Sequence, residues 1–372
     1  MPVLPESYTD GELKSITQNL LHAIEGARPG EMSQGVSSIP NPLPPQTLVE
    51  DGEAFQIMVV GGTTFQSARA RFTNGELVID ETRECELPLL ETRQTFLSLI
   101  ETYIEGDISV LALNYSFPIQ AFVRDNRLDG TALRSVKHHQ LEGLLGQPVG
   151  QEIEDYLNPT REYPLSVTCA HDTTSLLLAG RQHTHKEHPV GGVIGTGMNF
   201  AFLEDERVIN LESGNFSDFP QTETGKRVDA ESDTSGEQQF EKEVAGAFLP
   251  WHYNIFVKEH SSLDGEPISD AAQLSELAEN GDQFFQDIAR RLMRRSARLA
   301  ACQMAALFHF RGREHTTFIM EGSLFWEGWK YRQTITRTLK LLDVPSSAIR
   351  FVYVPNSSLL GAGQLVRASH GK

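Results

Sequence analysis

Asp172 is the residue of this sequence best placed to act as a general base. It follows an apolar, strand-like segment, Ser166 to Ala170, and precedes Thr173 and Thr174. Side chains at the carboxyl end of a strand in an α/β sheet point toward the ligand crevice. A carboxylate there can accept the proton of a hydroxyl that receives a phosphoryl group. The same position also fits a helix N-cap with the two threonines in the first turn, so both roles remain open.

Two glycine turns, one in each half of the sequence, could bind phosphate. Gly61-Gly62-Thr63 follows the apolar segment 57–60, and Gly195-Thr196-Gly197 follows the apolar segment 190–194. Glycine lets backbone N–H groups approach a phosphate closely. Each turn alone could equally be a simple hairpin. Two such turns with Asp172 between them predict a nucleotide cleft in which they hold the β- and γ-phosphates.

Three further polar residues could contact an acceptor molecule. Lys137 could place positive charge near the acceptor oxygen, or it could be an ordinary solvated lysine. Asn199 and Glu212 follow the second glycine turn and could bond sugar hydroxyls. A turn asparagine and a surface glutamate are the alternative interpretations of these two.

The elements that would position these residues follow from the apolar periodicity. Strand, glycine turn and return strand occur in both halves, which predicts two copies of one β-β-β-α-β-α lobe facing each other across a cleft. Residues 221–239 are polar and acidic without apolar periodicity, which predicts a surface excursion. The predicted helices span residues 12–24, 92–104, 172–178 and 284–310. The predicted strands span residues 57–60, 68–72, 77–79, 110–113, 166–170, 190–194, 200–203, 208–211, 316–320 and 350–354.

Composition excludes several classes of protein. The net charge of −18 over 372 residues argues against nucleic-acid binding. One arginine cluster lies within residues 290–298, on the long predicted helix, where we expect a solvated or ion-paired face. No apolar run approaches the ~20 residues that span a membrane, and residues 1–10 do not resemble a signal peptide. Three scattered cysteines give no disulfide framework or zinc site, and these features together predict a cytoplasmic protein.

Several short segments, in order along residues 12–366, resemble motifs of the eukaryotic-type hexokinase family. The phosphate-loop and catalytic motifs are matched by Gly61-Gly62-Thr63, Asp172-Thr173-Thr174 and Gly195-Thr196-Gly197 with Asn199. The sugar motifs are matched by Ser116-Phe117-Pro118, by Lys137, and by Glu212 with Gly214 and Phe216. Phe240-Glu241-Lys242 with Gly246 resembles the FEKxxxG motif, and Gly322-Ser323 resembles the adenosine-side DGS motif.

The resemblance implies a role for each matched residue. Asp172, assisted by Lys137, would be catalytic toward the 6-hydroxyl of the sugar. The implied sugar-binding residues are Ser116, Phe117, Lys137, His171, Asp172, Asn199 and Glu212. The implied nucleotide-binding residues are Gly61, Gly62, Thr63, Gly195, Thr196, Gly197, Gly322 and Ser323.

The resemblance also implies a fold and a reaction. The fold would be the duplicated ribonuclease-H/actin-like α/β type, with two lobes around a nucleotide and sugar cleft. We expect an N-terminal helix and loop over residues 1–54, a small lobe over 55–186 and a large lobe over 187–372. The C-terminal helix could return to the small lobe. The reaction would use ATP with Mg²⁺ to phosphorylate a hexose for glycolysis, in a monomer or homodimer without a nucleic-acid or membrane partner.

Six positions depart from the family pattern. Val59 replaces the acid before the first phosphate loop, which places magnesium handling in doubt, and Val136 replaces a threonine before Lys137. Trp251 replaces a second sugar-binding glutamate. The three remaining departures are His171 for asparagine, Gln66 for arginine and Leu359-Leu360-Gly361 for a GSG turn. Each lost hydrogen bond to a sugar hydroxyl would cost about 1–3 kcal/mol.

Several functions therefore remain open. The chain could be an active kinase for a glucose-like hexose, or for another sugar such as mannose or N-acetylglucosamine. It could also be a catalytically weak regulator that binds sugar or nucleotide, or an ATPase that clasps protein partners. The histidines at 183, 185 and 188 lie in a polar loop, and we assign no protein metal site to them or to any other group.

Overall fold

The computed structural model describes residues 4–28, 30–134, 139–180, 188–205, 207–260, 265–312 and 315–368. The helices are α1 Asp10–Gly26, α2 Arg93–Tyr103, α3 Val149–Leu157, α4 Asp172–Gly180, α5 Glu223–Glu231, α6 Gln239–Val244, α7 Leu249–Glu259, α8 Ala271–Asn280, α9 Gln283–Arg311, α10 Ser323–Glu327, α11 Tyr331–Leu341 and α12 Ser357–Gln364. The strands are β1 Met32–Ser33, β2 Val36–Ser37, β3 Ile39–Pro42, β4 Ala54–Val60, β5 Thr64–Thr73, β6 Glu76–Glu86, β7 Val110–Tyr115, β8 Ile119–Arg124, β9 Arg127–Ala132, β10 Ser166–His171, β11 His188–Ile194, β12 Met198–Glu204, β13 Arg207–Asn210, β14 Thr316–Glu321 and β15 Ile349–Val352.

The chain forms two compact units. Unit 1 holds the described residues of 1–39, 186–200 and 210–353, and unit 2 holds those of 40–185, 201–209 and 354–372. The domain boundaries inferred from the sequence remain predictions.

The two main sheets share one strand order. The first sheet runs β10-β7-β4-β5-β6, and the second runs β15-β14-β11-β12-β13 with β3 added at its edge. In chain order, the first three strands of each sheet are neighbours: β4, β5 and β6 in the first sheet, and β11, β12 and β13 in the second. The fourth and fifth strands, β7 and β10 or β14 and β15, extend the sheet on the other side of its first strand. The strands β4, β7 and β10 are parallel, as are β11, β14 and β15. A shared order of this kind is what a duplicated lobe produces.

Apolar side chains cover both faces of the first sheet, because successive residues of a strand point to opposite faces. On one face, Met58 and Leu113 join a core with residues of α2 and α3. On the other face, Ile57 and Ala112 join a core with residues of α4 and α12. Helix α12 approaches α4 so closely that a Cβ added to Gly361 would lie 1.8 Å from the Ser175 carbonyl oxygen. Glycine at this position therefore permits the contact between the two helices.

A buried ionic network joins helices of unit 1. Arg295 of α9 and Glu243 of α6 are fully buried and lie 3.2 Å apart. Arg295 also donates to His252 Nδ1 at 2.8 Å, and the His252 Nε2 atom lies 2.9 Å from the Lys242 carbonyl oxygen. Lys242 is fully buried and its Nζ donates to Asp229 at 2.5 Å. Since each buried charge has a partner, the network holds α5, α6, α7 and α9 together.

The structure corrects one prediction of local structure. Residues 221–239 are not a surface excursion, because helix α5 and the start of α6 lie within them. Thr222 caps α5 by accepting from the Gly225 N–H group, and Asp229 of α5 pairs with buried Lys242. The long arginine-bearing helix is confirmed as α9. Among the described residues, no helix is both long enough and apolar enough to cross a bilayer.

Candidate functional site

Three parallel strands of unit 2 end in one row. The sheet register pairs Tyr115 of β7 with Val60 of β4 on one side and with His171 of β10 on the other. The residues that directly follow these three are Gly61, Ser116 and Asp172. The carboxyl ends of parallel strands are where ligands bind in open α/β sheets. The register thus brings the first glycine turn, the predicted sugar motif and the predicted base to one edge.

The first glycine turn is a tight β4–β5 connection. Gly61 N–H donates to the Thr64 carbonyl at 2.9 Å, and a Cβ added to Gly61 would lie 2.8 Å from that same oxygen. Gly62 is half-buried and Thr63 is exposed. Because a side chain at 61 would collide with the turn, the close backbone geometry depends on glycine.

Asp172 is the first residue of α4 and directly follows β10, at the carboxyl edge of the first sheet. Its side chain is 24% exposed, and its Oδ1 atom accepts no hydrogen bond within the part of the chain that the structure describes. His171 is buried, with its Nδ1 atom 2.9 Å from this oxygen and hydrogen-bonded to the Thr173 hydroxyl at 3.0 Å. His171 therefore packs beside the buried Oδ1 atom, while part of the Asp172 side chain remains exposed.

Ser116 and Phe117 differ in their surroundings. Ser116 is half-buried, and its N–H group donates to the Val60 carbonyl at 3.0 Å. Phe117 is buried, with its ring centroid 5.1 Å from that of Tyr115 and 5.3 Å from that of His139. The Phe117 side chain is thus a packing group beneath the edge, whereas Ser116 lies on it. The predicted catalytic Lys137 lies outside the described residues, as does Val136.

The neighbourhood of Val59 bears on magnesium binding. Val59 is buried and apolar, and its register partner on β7 is Asn114. Asn114 is 1% exposed, and neither of its side-chain polar atoms has a hydrogen bond to a described residue. Magnesium usually keeps several waters and takes one or two carboxylates plus phosphate oxygens. The Asn114 amide can bond a water of such an ion, although no cluster of three or more His, Cys, Asp or Glu ligands occurs among the described residues.

In unit 1, Gly322 lies against the second glycine turn. The parallel pairing of β11 and β14 aligns Val193 with Glu321, so both strands end together. Gly322 has φ 110°, and a Cβ there would lie 2.2 Å from the Ile194 carbonyl oxygen. The predicted adenosine-side residues Gly322 and Ser323 therefore follow the strand next to the turn at Gly195.

The carbonyl groups of the second turn are anchored on the connection between α6 and α7. Gly246 N–H donates to the Gly195 carbonyl at 2.8 Å, and Ala247 N–H donates to the Thr196 carbonyl at 3.1 Å. The structure has no cis peptide bond among the described residues. In a trans peptide the N–H group points opposite to the preceding C=O. The N–H groups of Thr196 and Gly197 consequently point away from this connection, as an anion-binding turn requires.

Glu241 joins the second turn to the segment that contains Glu212. Its Oε2 atom accepts the Met198 N–H group at 3.0 Å. A Cβ added to Gly214 would lie 3.0 Å from the Glu241 side chain, and one added to Gly197 would lie 3.5 Å from it. The two glycines let this carboxylate fit between the turn and the Glu212 segment.

Asn199 and Glu212 do come together. Asn199 Nδ2 donates to Glu212 Oε1 at 2.9 Å, and Asn199 Oδ1 accepts the Phe200 N–H group at 2.8 Å. Asn210 joins them, with its Nδ2 atom donating to Glu212 Oε1 at 2.9 Å. Both predicted sugar ligands are half-buried. They form one polar group just beyond the second turn.

A pocket of about 490 Å³ lies beside Ser323 in unit 1. Helix α8, helix α10 and residues 328–330 line it. The ring of Trp329 forms part of its wall, with the cationic groups of Arg290, Arg294 and Lys330 at 5.0–5.1 Å from the ring centroid. The pocket combines an aromatic wall with the polar side chains of Ser275, Glu276, Glu279, Asn280 and Glu327.

Trp251 lies in the first turn of α7 and is 41% exposed, with its ring 6.1 Å from that of Phe248. An indole at this position can stack on a partner but cannot accept a hydrogen bond as a glutamate would.

Sequence reasoning missed the roles of three residues. Asn114 follows four apolar residues of β7 and Asn210 follows two of β13, and a buried amide after such a run is the signal that could have identified them. Glu241 was noted only as part of a motif.

The chain is similar to known hexokinases in sequence and in fold. A family model described as Hexokinase matches residues 189–258 and 255–368. Hexokinase-1 of Nicotiana tabacum is 23% identical over 402 residues, covering 86% of this chain and 80% of the relative.

Two solved structures show the same fold. Hexokinase from Schistosoma mansoni complexed with glucose superposes with a TM-score of 0.76 at 18% identity, covering 96% of this chain and 95% of that one. A ROK family glucokinase from Streptomyces griseus in complex with glucose and AMPPNP gives a TM-score of 0.57 at 17% identity, covering 84% and 99%. Together with the repeated strand order, these likenesses confirm the duplicated, two-lobed actin-like fold.

Proposed function

Because the chain belongs to the hexokinase family of phosphotransferases, we propose that it transfers the γ-phosphoryl group of ATP to the 6-hydroxyl of a glucose-like hexose. The observation that carries this proposal is the row of Gly61, Ser116 and Asp172 at the carboxyl edge of unit 2. A phosphate turn, a sugar-binding hydroxyl and a general base are the three elements that such a transfer needs at one place.

Asp172 would act as the base. Its side chain is 24% exposed at the end of β10, so a sugar hydroxyl can reach the carboxylate and transfer its proton to it. The hydroxyl oxygen then bonds to the γ-phosphorus as the bond to ADP breaks. The nearby His171 ring restricts the carboxylate and thus helps to hold its orientation.

The second glycine turn would bind phosphate. The anchored carbonyls of Gly195 and Thr196 turn the following N–H groups outward, where they can donate to phosphate oxygens without reorganisation. Magnesium, when bound with ATP, would neutralise the charge that develops on the phosphate oxygens. Asn114 is a residue of unit 2 whose buried amide could bond one of its hydrating waters.

The pocket beside Ser323 would take the nucleoside. Its volume of about 490 Å³ lies in the range of small-molecule pockets. Its acidic and amide side chains can accept hydrogen bonds from ribose hydroxyls, and Trp329 offers an apolar wall. The bound AMPPNP of the Streptomyces griseus glucokinase supports a nucleotide in this fold.

Asn199 and Glu212 of unit 1 would bind sugar hydroxyls, and Ser116 of unit 2 is a further candidate sugar ligand, with Lys137 expected near the acceptor oxygen. Carboxylate and amide oxygens bond sugar hydroxyls well. The glucose bound in the Schistosoma mansoni hexokinase supports a hexose as the substrate class.

Product analysis tests the proposal. The protein is incubated with ATP, magnesium and a panel that contains glucose, mannose, N-acetylglucosamine and 6-deoxyglucose, and sugar phosphates are measured by mass spectrometry. We expect a hexose 6-phosphate from at least one sugar and no product from 6-deoxyglucose, which lacks the acceptor hydroxyl. Product from 6-deoxyglucose, or none from any hexose, would contradict the proposal.

Val59 and Trp251 favour a second candidate, a sugar-binding regulator with little turnover. Neither side chain supplies the carboxylate that the family pattern has at its position. A sugar that raises the melting temperature without being phosphorylated would identify this function.

A further inference from the structure

Asn210 closes a triangle of hydrogen bonds with the two predicted sugar ligands. It is the last residue of β13 and is 2% exposed. Its Oδ1 atom accepts from Asn199 Nδ2 at 2.9 Å, and its Nδ2 atom donates to Glu212 Oε1 at 2.9 Å. The third side of the triangle is the bond from Asn199 Nδ2 to Glu212 Oε1, also 2.9 Å.

We infer that Asn210 is a positioning residue that sets the orientation of Glu212 and Asn199 toward the sugar, an inference that rests on the proposed function. The carboxamide accepts from one neighbour and donates to the other through two different atoms of a single short side chain. A buried amide whose two ends are both bonded holds its partners in one arrangement.

The triangle also constrains Asn199. Both hydrogens of its amide nitrogen go to Asn210 and Glu212, and its oxygen already accepts the Phe200 N–H group. To donate to a sugar, Asn199 would have to give up one of these bonds. Within the triangle it therefore meets the sugar as an acceptor, and its main effect is on the position of Glu212.

The backbone at Glu212 explains why such support is needed. Glu212 has φ 44° and ψ 38°, a left-handed conformation that is uncommon for a residue with a side chain. Residues in such conformations persist when their surroundings over-determine them. Asn210 from β13 and Asn199 from β12 supply two of these constraints on the side chain.

Two substitutions separate positioning from packing. Asn210→Asp keeps the shape but places a second carboxylate within about 3 Å of Glu212, where like charges repel and the pair tends to share one proton. Asn210→Leu keeps approximate volume and removes both hydrogen bonds. Glu241 is a further carboxylate nearby, and it accepts the Met198 N–H group. Since it is present in the wild type and in both variants, it does not account for a difference between them.

The measurement is sugar affinity by calorimetry at pH 8 and pH 5.5, with ATP affinity measured alongside. The sugar is the best substrate of the wild type. We expect both variants to bind sugar about 10–100-fold more weakly at pH 8, because a polar contact is lost next to the ligand. At pH 5.5, a shared proton restores donation to Glu212 in Asn210→Asp alone, and its affinity should return most of the way to the wild-type value. ATP affinity should stay unchanged.

The possible results distinguish failure of the Asn210 inference from failure of the proposed function. Wild-type affinity in both variants at pH 8 would overturn the inference. An Asn210→Asp variant as weak as Asn210→Leu at both pH values would show that a restored hydrogen bond to Glu212 does not restore sugar binding, which also overturns it. If the wild-type protein binds no sugar, the proposed function fails and the inference fails with it.

Discussion

Gly195 and Gly322 lie back to back in unit 1, so that a Cβ added to Gly195 would come within 3.2 Å of the Gly322 Cα atom. The contact brings the second phosphate turn against the start of α10, beside the pocket at Ser323. Both sides of the contact depend on the absence of a side chain.

Gly322→Ala should therefore disturb the turn. The added methyl group would meet the Ile194 carbonyl carbon and oxygen at 2.4 and 2.2 Å, at a φ of 110° that disfavours side chains. We expect a loss of at least about 2 kcal/mol in the free energy of unfolding, and weaker ATP binding. Denaturant titration and calorimetry measure the two effects.

Gly312→Ala is the matched control. Gly312 also has a positive φ, 53°, but an added Cβ there would meet nothing within 4 Å. It should lose about 1 kcal/mol of stability from backbone strain and keep its ATP affinity. Equal losses in both variants would refute the argument from the close contact.

Glu212→Gln should weaken sugar binding. The substitution keeps the shape but puts a neutral amide where Oε1 now accepts from Asn199 and Asn210. Hydrogen bonds to charged groups contribute about 1.5–3 kcal/mol, so we expect roughly 10–100-fold weaker affinity by calorimetry. The exposed Glu237→Gln is the control for loss of charge and should bind normally. Unchanged affinity in Glu212→Gln would remove this residue from the sugar site.

Val59→Asp should improve the use of magnesium. The new carboxylate would stand beside Asn114 and next to the first glycine turn, where it can bond the waters of a hydrated cation. We expect the magnesium concentration for half-maximal ADP release to fall by about 10-fold. Val59→Asn supplies a neutral side chain of the same shape and should not produce this fall. An equal effect of both variants would rule out the charge as the cause.

Stability should fall between pH 6.5 and 4 because of His252. Burial and, next, the charge of Arg295 lower the pKa of His252 to about 4, so the folded protein keeps this ring neutral. The unfolded chain binds a proton near pH 6.5, and more protons on the unfolded state mean that stability falls as pH falls. The expected loss from this residue is on the order of 3 kcal/mol, fully developed by about pH 4.

His252→Gln provides the control. Glutamine keeps polar atoms near Arg295 and Lys242 but does not titrate, so its stability should change less between pH 6.5 and 4. Denaturant titrations of both proteins at several pH values give the difference. Identical pH profiles would contradict the buried neutral histidine.

Local sequence pattern predicts where a residue lies in the fold. An apolar strand and the start of a helix were predicted on either side of Asp172, where β10 ends and α4 begins, and the repeated glycine turns predicted the duplicated fold. Local pattern does not reveal partners that come from distant elements. Residues 221–239 look solvated because their charges are numerous, yet Asp229 pairs with Lys242 in the interior. The role of Asn210 depends on the register of β12 and β13, which the sequence pattern did not determine.

The most direct test of the account is ADP release by wild type and Asp172→Asn, with the sugar that the wild type uses best. The variant preserves shape and the start of α4 while removing the base. We predict that turnover falls by about 10²–10⁴-fold with ATP affinity nearly constant. Equal turnover in the two proteins would contradict the assignment of Asp172 as the base and, with it, the proposed mechanism.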